Sequence, residues 1–176
     1  ELLNKDVIPV VYEKGSLGAS GDLALLSHMS LPLIGLGDVI IDDQIYATEE
    51  GFKIKNIKPL SQLEAKEGLS LINGTQAMNA IGALALYDAI KLLKLANVAF
   101  ALTMEALLGI TSALDDKVHR IRGQHGQIVC AKEMRELLQG SQLSHPQDRV
   151  RVQDAYSLRC SPQVHGASYD ALKHIL

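Results

Sequence analysis

Apolar residues change their spacing along this chain, and the spacing predicts its elements. Behind Asp22, a residue suited to capping a helix N-terminus, Leu23, Leu26, Met29, Leu33 and Ile34 recur at helical intervals. Pro32 with Gly35 and Gly37 is expected to end or kink that helix. The pattern then switches. Val39-Ile40-Ile41, the Asp42-Asp43 pair and Ile45-Tyr46-Ala47-Thr48 read as a small hairpin, with a third strand expected near Phe52 to Ile57. From Leu60 onward helical spacing dominates. One helix is expected over Ser61 to Ile72, with a break at Asn73-Gly74. The proline-free run from Thr75 to Leu108 predicts a long bundle helix, with Gly82 as a candidate interruption. The Leu and Ala stripe from Ile81 to Leu108 reads as bundle core. A further helix is expected over Gln127 to Leu138, and the polar stretch Gly140 to Tyr156 reads as a long irregular loop of a kind that is often functional. The fold class expected is mainly α, a long-helix bundle core with a small β-hairpin insertion near 38–57.

Composition agrees with helices and excludes some partners. Of 176 residues 47% are hydrophobic but only 4% aromatic, with no Trp, so Leu, Ile, Val and Ala must form the core. Seventeen Lys and Arg against twenty Asp and Glu leave −3, too balanced to suggest nucleic acid or a membrane surface as partner. The most apolar stretch, Leu95 to Met104, is too short to span a bilayer. Cys130 and Cys160 form no CxxC pattern and fit a reducing, cytoplasmic setting. His119 and His125 lie six apart with no HExxH, so no metal is expected, and His119-Arg120-Ile121-Arg122 reads as a solvated helix edge. The chain opens on Glu1 and closes at Leu176 inside an apolar-periodic helix with no capping residue, so a stretch cut from a longer domain is expected.

Candidate chemistry concentrates in Gly15-Ser16-Leu17-Gly18-Ala19-Ser20-Gly21-Asp22. Glycines at three-residue spacing allow close backbone approach or positive φ. A phosphate cradle at a helix N-terminus is one reading, and a plain structural turn is another. No Lys-Ser or Lys-Thr follows, so the phosphate-loop pattern fails. Ala-Ser-Gly permits a third chemistry. The Gly21 amide nitrogen can attack the Ala19 carbonyl carbon, because glycine has no Cβ to obstruct the approach. Loss of two waters, one carrying the Ser20 hydroxyl, leaves a methylidene-imidazolone, an electrophile that no ordinary side chain supplies.

The stretch Gly15 to Ala24 resembles the signature of the aromatic amino-acid ammonia-lyase family, the methylidene-imidazolone enzymes. Three further blocks agree in order: Lys66-Glu67-Gly68-Leu69 with Leu71-Ile72-Asn73-Gly74-Thr75-Gln76, then Arg122-Gly123-Gln124, then Val152-Gln153-Asp154-Ala155-Tyr156-Ser157-Leu158-Arg159-Cys160. Leu25, where the family commonly has Pro, and Ser161 and His165 depart from the pattern without touching the tripeptide. Gln76 and Cys160 resemble the histidine branch.

The resemblance implies several things about function. The activity would be elimination of ammonia from L-histidine to give trans-urocanate; a tyrosine or phenylalanine ammonia-lyase or aminomutase of the same family is the alternative. Its cofactor would be the methylidene-imidazolone formed from Ala19, Ser20 and Gly21, with no metal or diffusible cofactor. Asn73, otherwise a turn residue, would contact that group and the substrate amine. Arg159, otherwise a surface ion pair, would bind the substrate carboxylate in bidentate fashion. Tyr156 would supply an active-site hydroxyl and Gln153 a substrate contact. For Asp22, helix capping competes with a catalytic duty. The implied partners are a small amino-acid substrate and further copies of the chain in a homotetramer. Outside the family, a nucleotide-binding module and an inactive helical scaffold are the rival readings.

Overall fold

The computed structural model describes every residue except Leu17, Ala19, Ser20, Asp148 and Arg149. The chain divides into two compact units, Glu1–Ala83 and Leu84–Leu176.

In the first unit, helix α1 (Leu23–Ser30) runs into a 3-10 turn with Pro32 in its first positions and Gly35 closing it at φ 80°. Strands β2 (Asp38–Ile41) and β3 (Gln44–Ala47) form the expected hairpin, paired antiparallel with Val39 opposite Tyr46 and Ile41 opposite Gln44. Asp42 and Asp43 both have positive φ, as a two-residue hairpin turn matched to strand twist demands. The third strand comes from elsewhere: β1 (Ile8–Pro9) pairs antiparallel with β2, and the order is β1-β2-β3.

Phe52 to Ile57, expected as that strand, instead belongs to the end of helix α2 (Thr48–Ile54) and its cap. Asn56 turns left-handed, its N–H donating to Lys53 O, while the Ile57 N–H returns to Phe52 O at 2.8 Å. This double closure brings Ile57 onto Phe52, the apolar contact usual for such caps. Both side chains join Val7, Val39 and Ile41 in a small core, with Leu2 and Tyr46 packed against it. A Cβ on Gly51 would lie 2.6 Å from Val39 Cγ2, so α2 rests closely on the sheet.

Helix α3 (Glu67–Ile72) is shorter than the expected Ser61–Ile72. Lys66 has φ 69°, which no α-helix interior accommodates, and residues before it are irregular. Helix α4 (Gln76–Ala106) is long and passes through Gly82 without interruption.

The Ile81–Leu108 stripe, most of it in the second unit, forms the expected core only in part. Leu84, Leu92, Leu95 and Leu102 are each more than half exposed, while Asn97, Phe100, Ala101 and Met104 are buried. The reason is that one side of the C-terminal part of α4 is covered, in a core shared with Leu114, Met134, Leu138 and Leu158. Helix α5 (Asp116–Arg122) is capped by Asp115, whose carboxylate accepts from Lys117 N, and Gly123 at φ 72° turns the chain into α6 (His125–Leu137). A four-residue helix α7 (Tyr156–Arg159) and the longer α8 (Ser161–Ile175) follow the irregular polar loop.

Helices α6 and α8 cross backbone to backbone. A Cβ on Gly126 would fall 2.1 Å from Gly166 O, and one on Gly166 would fall 2.4 Å from Gln127 N. Beside that crossing the Asn97 amide is a buried hub: Nδ2 donates to Glu133 Oε2 and Oδ1 accepts from His165 Nδ1, both at 2.7 Å. Asn97 thus ties α4 to α6 and α8.

The reading of residues 119–122 as a solvated edge holds for Arg120, Ile121 and Arg122 but fails for His119, which is fully buried. Its Nε2–H donates to Ala113 O at 3.1 Å and Nδ1 accepts from Gln127 Nε2 at 2.9 Å. Both ring nitrogens are occupied in the neutral form, and burial holds its pKa below the ordinary 6.5, an effect the Ala113 carbonyl partly opposes.

Two outcomes are expected. Gly166→Ala gains about 1 kcal/mol of helix propensity but forces the crossing apart, so a net loss of roughly 1–3 kcal/mol follows; a urea midpoint at or above the parent's contradicts it. With the folded pKa of His119 depressed, the unfolded chain binds more protons below pH 6.5, so stability present above that pH declines as pH falls towards the folded pKa. Urea unfolding at a series of pH values should show a shallower acid decline in His119→Gln, and an unchanged slope contradicts the assignment.

Candidate active site

The first unit brings two of the sequence blocks together. Gly21 has φ 99°, and a Cβ built on it would lie 2.4 Å from Gly74 O and 3.0 Å from Gly74 N. Two physical reasons therefore require glycine at position 21: backbone conformation, and direct contact with the turn that follows Asn73. Asn73 is exposed at the C-terminal end of α3, its backbone N–H donating to Leu69 O at 3.0 Å. The break expected at Asn73-Gly74 is therefore present, and Gly74 lies against Gly21. Ala19 and Ser20 lie outside the described residues.

Asp22 stands at the N-cap position of α1, but its side chain makes no capping hydrogen bond. The Ser16 hydroxyl donates to Asp22 Oδ1 instead, clamping the two ends of the glycine loop. The capping role expected for the Asp22 side chain is therefore not observed, and its Oδ1 is engaged in loop closure with Ser16 instead. Ser16 was missed by sequence reasoning: a lone serine among glycines carries no signal of its partner. The strand before this loop is two residues long and antiparallel, unlike the parallel strand that feeds a phosphate loop.

The second unit presents Tyr156 and Arg159 on α7, with the Arg159 guanidinium carbon 4.4 Å from the Tyr156 ring centroid. This stacking pre-orients a planar fork on an aromatic face. Tyr156 is 73% exposed. Arg159 Nε is buried with no hydrogen-bond partner among the described residues, a donor poised for an acceptor. Leu158, on the opposite side of the same short helix, is buried in the core and sets which side chains face outward. Gln153 is exposed in the loop just before it.

That loop is not slack. His145 forms a parallel bridge with Ile110, with Thr111 N donating to His145 O at 2.8 Å and His145 N to Gly109 O at 3.1 Å. Asp154 is buried, an unusual place for a carboxylate. Sequence reasoning registered it only as part of a motif, although a carboxylate wedged between two proposed site residues was the available signal. Cys130, wholly buried, is no competing nucleophile: burial pushes its thiol up to about 11. No helix among the described residues is long and apolar enough to cross a membrane.

Known proteins share this organisation. Residues 1–176 match the family described as aromatic amino acid lyase. A histidine ammonia-lyase from Alkaliphilus oremlandii is 54% identical over 175 residues, which is 99% of this chain and 34% of that protein. Among solved structures, a tyrosine aminomutase from Streptomyces globisporus superimposes with a TM-score of 0.88 at 38% identity, covering 98% of this chain and 36% of that one. A histidine ammonia-lyase from Trypanosoma cruzi gives 0.83 at 36%, covering 99% and 31%. The chain spans about a third of the length of the curated relatives it matches. With a match that runs from its first residue to its last, the chain belongs to the aromatic amino acid lyase family.

Proposed function

We propose that the full-length protein is a cytoplasmic enzyme that removes ammonia from L-histidine to give trans-urocanate, and that this chain is the central part of its catalytic domain. The packing of Gly21 on the Gly74 backbone carries the reading. A ring closed between residues 19 and 21 needs a residue without a Cβ at its nitrogen end, and position 21 accepts nothing else. The residues present therefore suit a methylidene-imidazolone built from Ala19, Ser20 and Gly21. Once formed, that group supplies an electrophilic carbon for the substrate.

The remaining roles fall to ordinary side chains. Arg159 takes the substrate carboxylate, and its buried, unpartnered Nε–H supports that duty. The Tyr156 hydroxyl, at the end of the loop, stands near the prosthetic group as a polar active-site contact. Asn73 offers an amide that both donates to and accepts from a substrate amine. Gln153 contributes a further polar contact. The 54% identity to a histidine ammonia-lyase favours histidine over tyrosine or phenylalanine. The likeness to a tyrosine aminomutase supports a second reading, in which ammonia returns to the β-carbon.

We further propose a homotetramer. The half-exposed leucines of α4 present an apolar face that needs cover, and other segments or other copies would provide it.

Urocanate formation, followed by ultraviolet absorbance in the full-length protein, is the decisive assay. Turnover is expected in the parent and is lost in Ser20→Ala with folding intact; near-normal turnover in that variant overturns the mechanism. Gly21→Ala is expected to keep the two waters that the parent tripeptide has lost, as read by peptide mass. A parent silent with histidine but active on tyrosine or phenylalanine moves the specificity without touching the chemistry.

A further inference from the structure

The loop end that delivers the Tyr156–Arg159 segment is fixed by one buried carboxylate. The Asp154 side chain is 2% exposed. Its Oδ2 accepts from the Ile110 backbone N–H at 2.5 Å. Arg151 Nη1 lies 3.0 Å from Oδ1, and Arg151 Nη2 donates to Leu108 O at 2.5 Å. Asp154 and Arg151 together fasten the loop to residues 108–110, the turn directly after α4. Leu108 itself has φ 52°, so this turn is a shaped dock rather than a continuation of the helix.

Helix α7 has four residues, too few to hold its own position. Its far end is secured independently, by Leu158 in the core and by the Ser161 hydroxyl donating to Ser157 O at 2.7 Å. Its near end has Ala155 as N-cap with no side-chain cap hydrogen bond. The anchor immediately before it is Asp154.

We propose that Asp154 is a positioning residue, whose buried contacts with Ile110 and Arg151 place Tyr156 for the reaction. This rests on the roles given above to Tyr156 and Arg159. Loss of the carboxylate leaves the Ile110 N–H without its acceptor and removes the Asp154 ion pair from Arg151, so the loop end loosens. The looseness falls on Tyr156, two positions away, more than on Arg159, which lies beyond the Leu158 anchor. The consequence is a defect in turnover more than in carboxylate binding.

The test compares the parent, Asp154→Ala and Asp154→Asn in the full-length enzyme, with kinetics and amide hydrogen exchange measured below the unfolding temperature of each. Asp154→Ala is expected to lower kcat at least about tenfold, with KM within about threefold, since small displacements of a reacting group are costly. Its exchange rises at residues 155–157 while α6 is unchanged. Asp154→Asn keeps an acceptor for Ile110 and restores most of kcat. Unaltered exchange at 155–157 overturns the proposal, as does raised exchange with kcat intact. Equal loss in Ala and Asn variants, with exchange raised throughout the unit, assigns Asp154 to general stability and likewise overturns it. Failure of the functional reading shows separately, as a parent inactive on histidine, tyrosine and phenylalanine alike, and removes this proposal with it.

Discussion

Backbone lying directly on backbone is the constraint on which both units depend. In the first, the α-carbon of Gly21 rests against the peptide of Gly74, and in the second Gly126 and Gly166 let α6 and α8 cross at contact distance. A single methyl group at any of these three positions would overlap carbonyl or amide atoms that have no rotamer through which to move. Side-chain packing adjusts to substitution by changing rotamer; backbone atoms move only if the chain itself shifts. Glycine at these points thus brings the glycine loop to the Asn73 turn, and brings α8 down on α6.

Polar groups buried around that framework give it specificity. Asn97 joins three helices through one amide, using its donor for Glu133 and its acceptor for His165. His119 is locked in one tautomer between Ala113 and Gln127. Each arrangement is satisfied in one relative placement of its helices, because a displaced partner leaves a buried donor or acceptor unpaired. The polar loop is held on the turn after α4 by Asp154 Oδ2, which accepts from the Ile110 N–H, and by backbone hydrogen bonds of His145. A long irregular segment can then present Gln153, Tyr156 and Arg159 from a fixed base.

Much of the fold was legible in the residues. The Asp42-Asp43 turn between apolar runs, the proline-free stretch of α4 and the loop after residue 140 behaved as local patterns predict. Errors arose where local signals were ambiguous. Phe52 and Ile57 are apolar and close in sequence, which fits a strand as well as a helix end folded back by a left-handed Asn56. Ser61 to Lys66 has helical composition, yet Lys66 adopts positive φ and starts α3 late. The leucines of α4 have the spacing of a core face, and spacing does not say whether the covering surface lies in the same stretch of chain.

By itself, then, the sequence determined what depends on neighbours a few residues apart: helical periodicity, turn chemistry, and an Ala-Ser-Gly order whose proposed cyclisation involves three consecutive residues. Family membership was legible for the same reason, since ordered motifs are strings. The tertiary structure alone decided which distant residues meet. It set Gly21 against Gly74, gave Ser16 rather than the helix end to Asp22, buried His119 within a basic run, and placed Asp154 on Ile110. Contacts across tens of residues depend on how whole elements dock, and docking is governed by shape and by the pairing of buried polar groups, which no local pattern encodes.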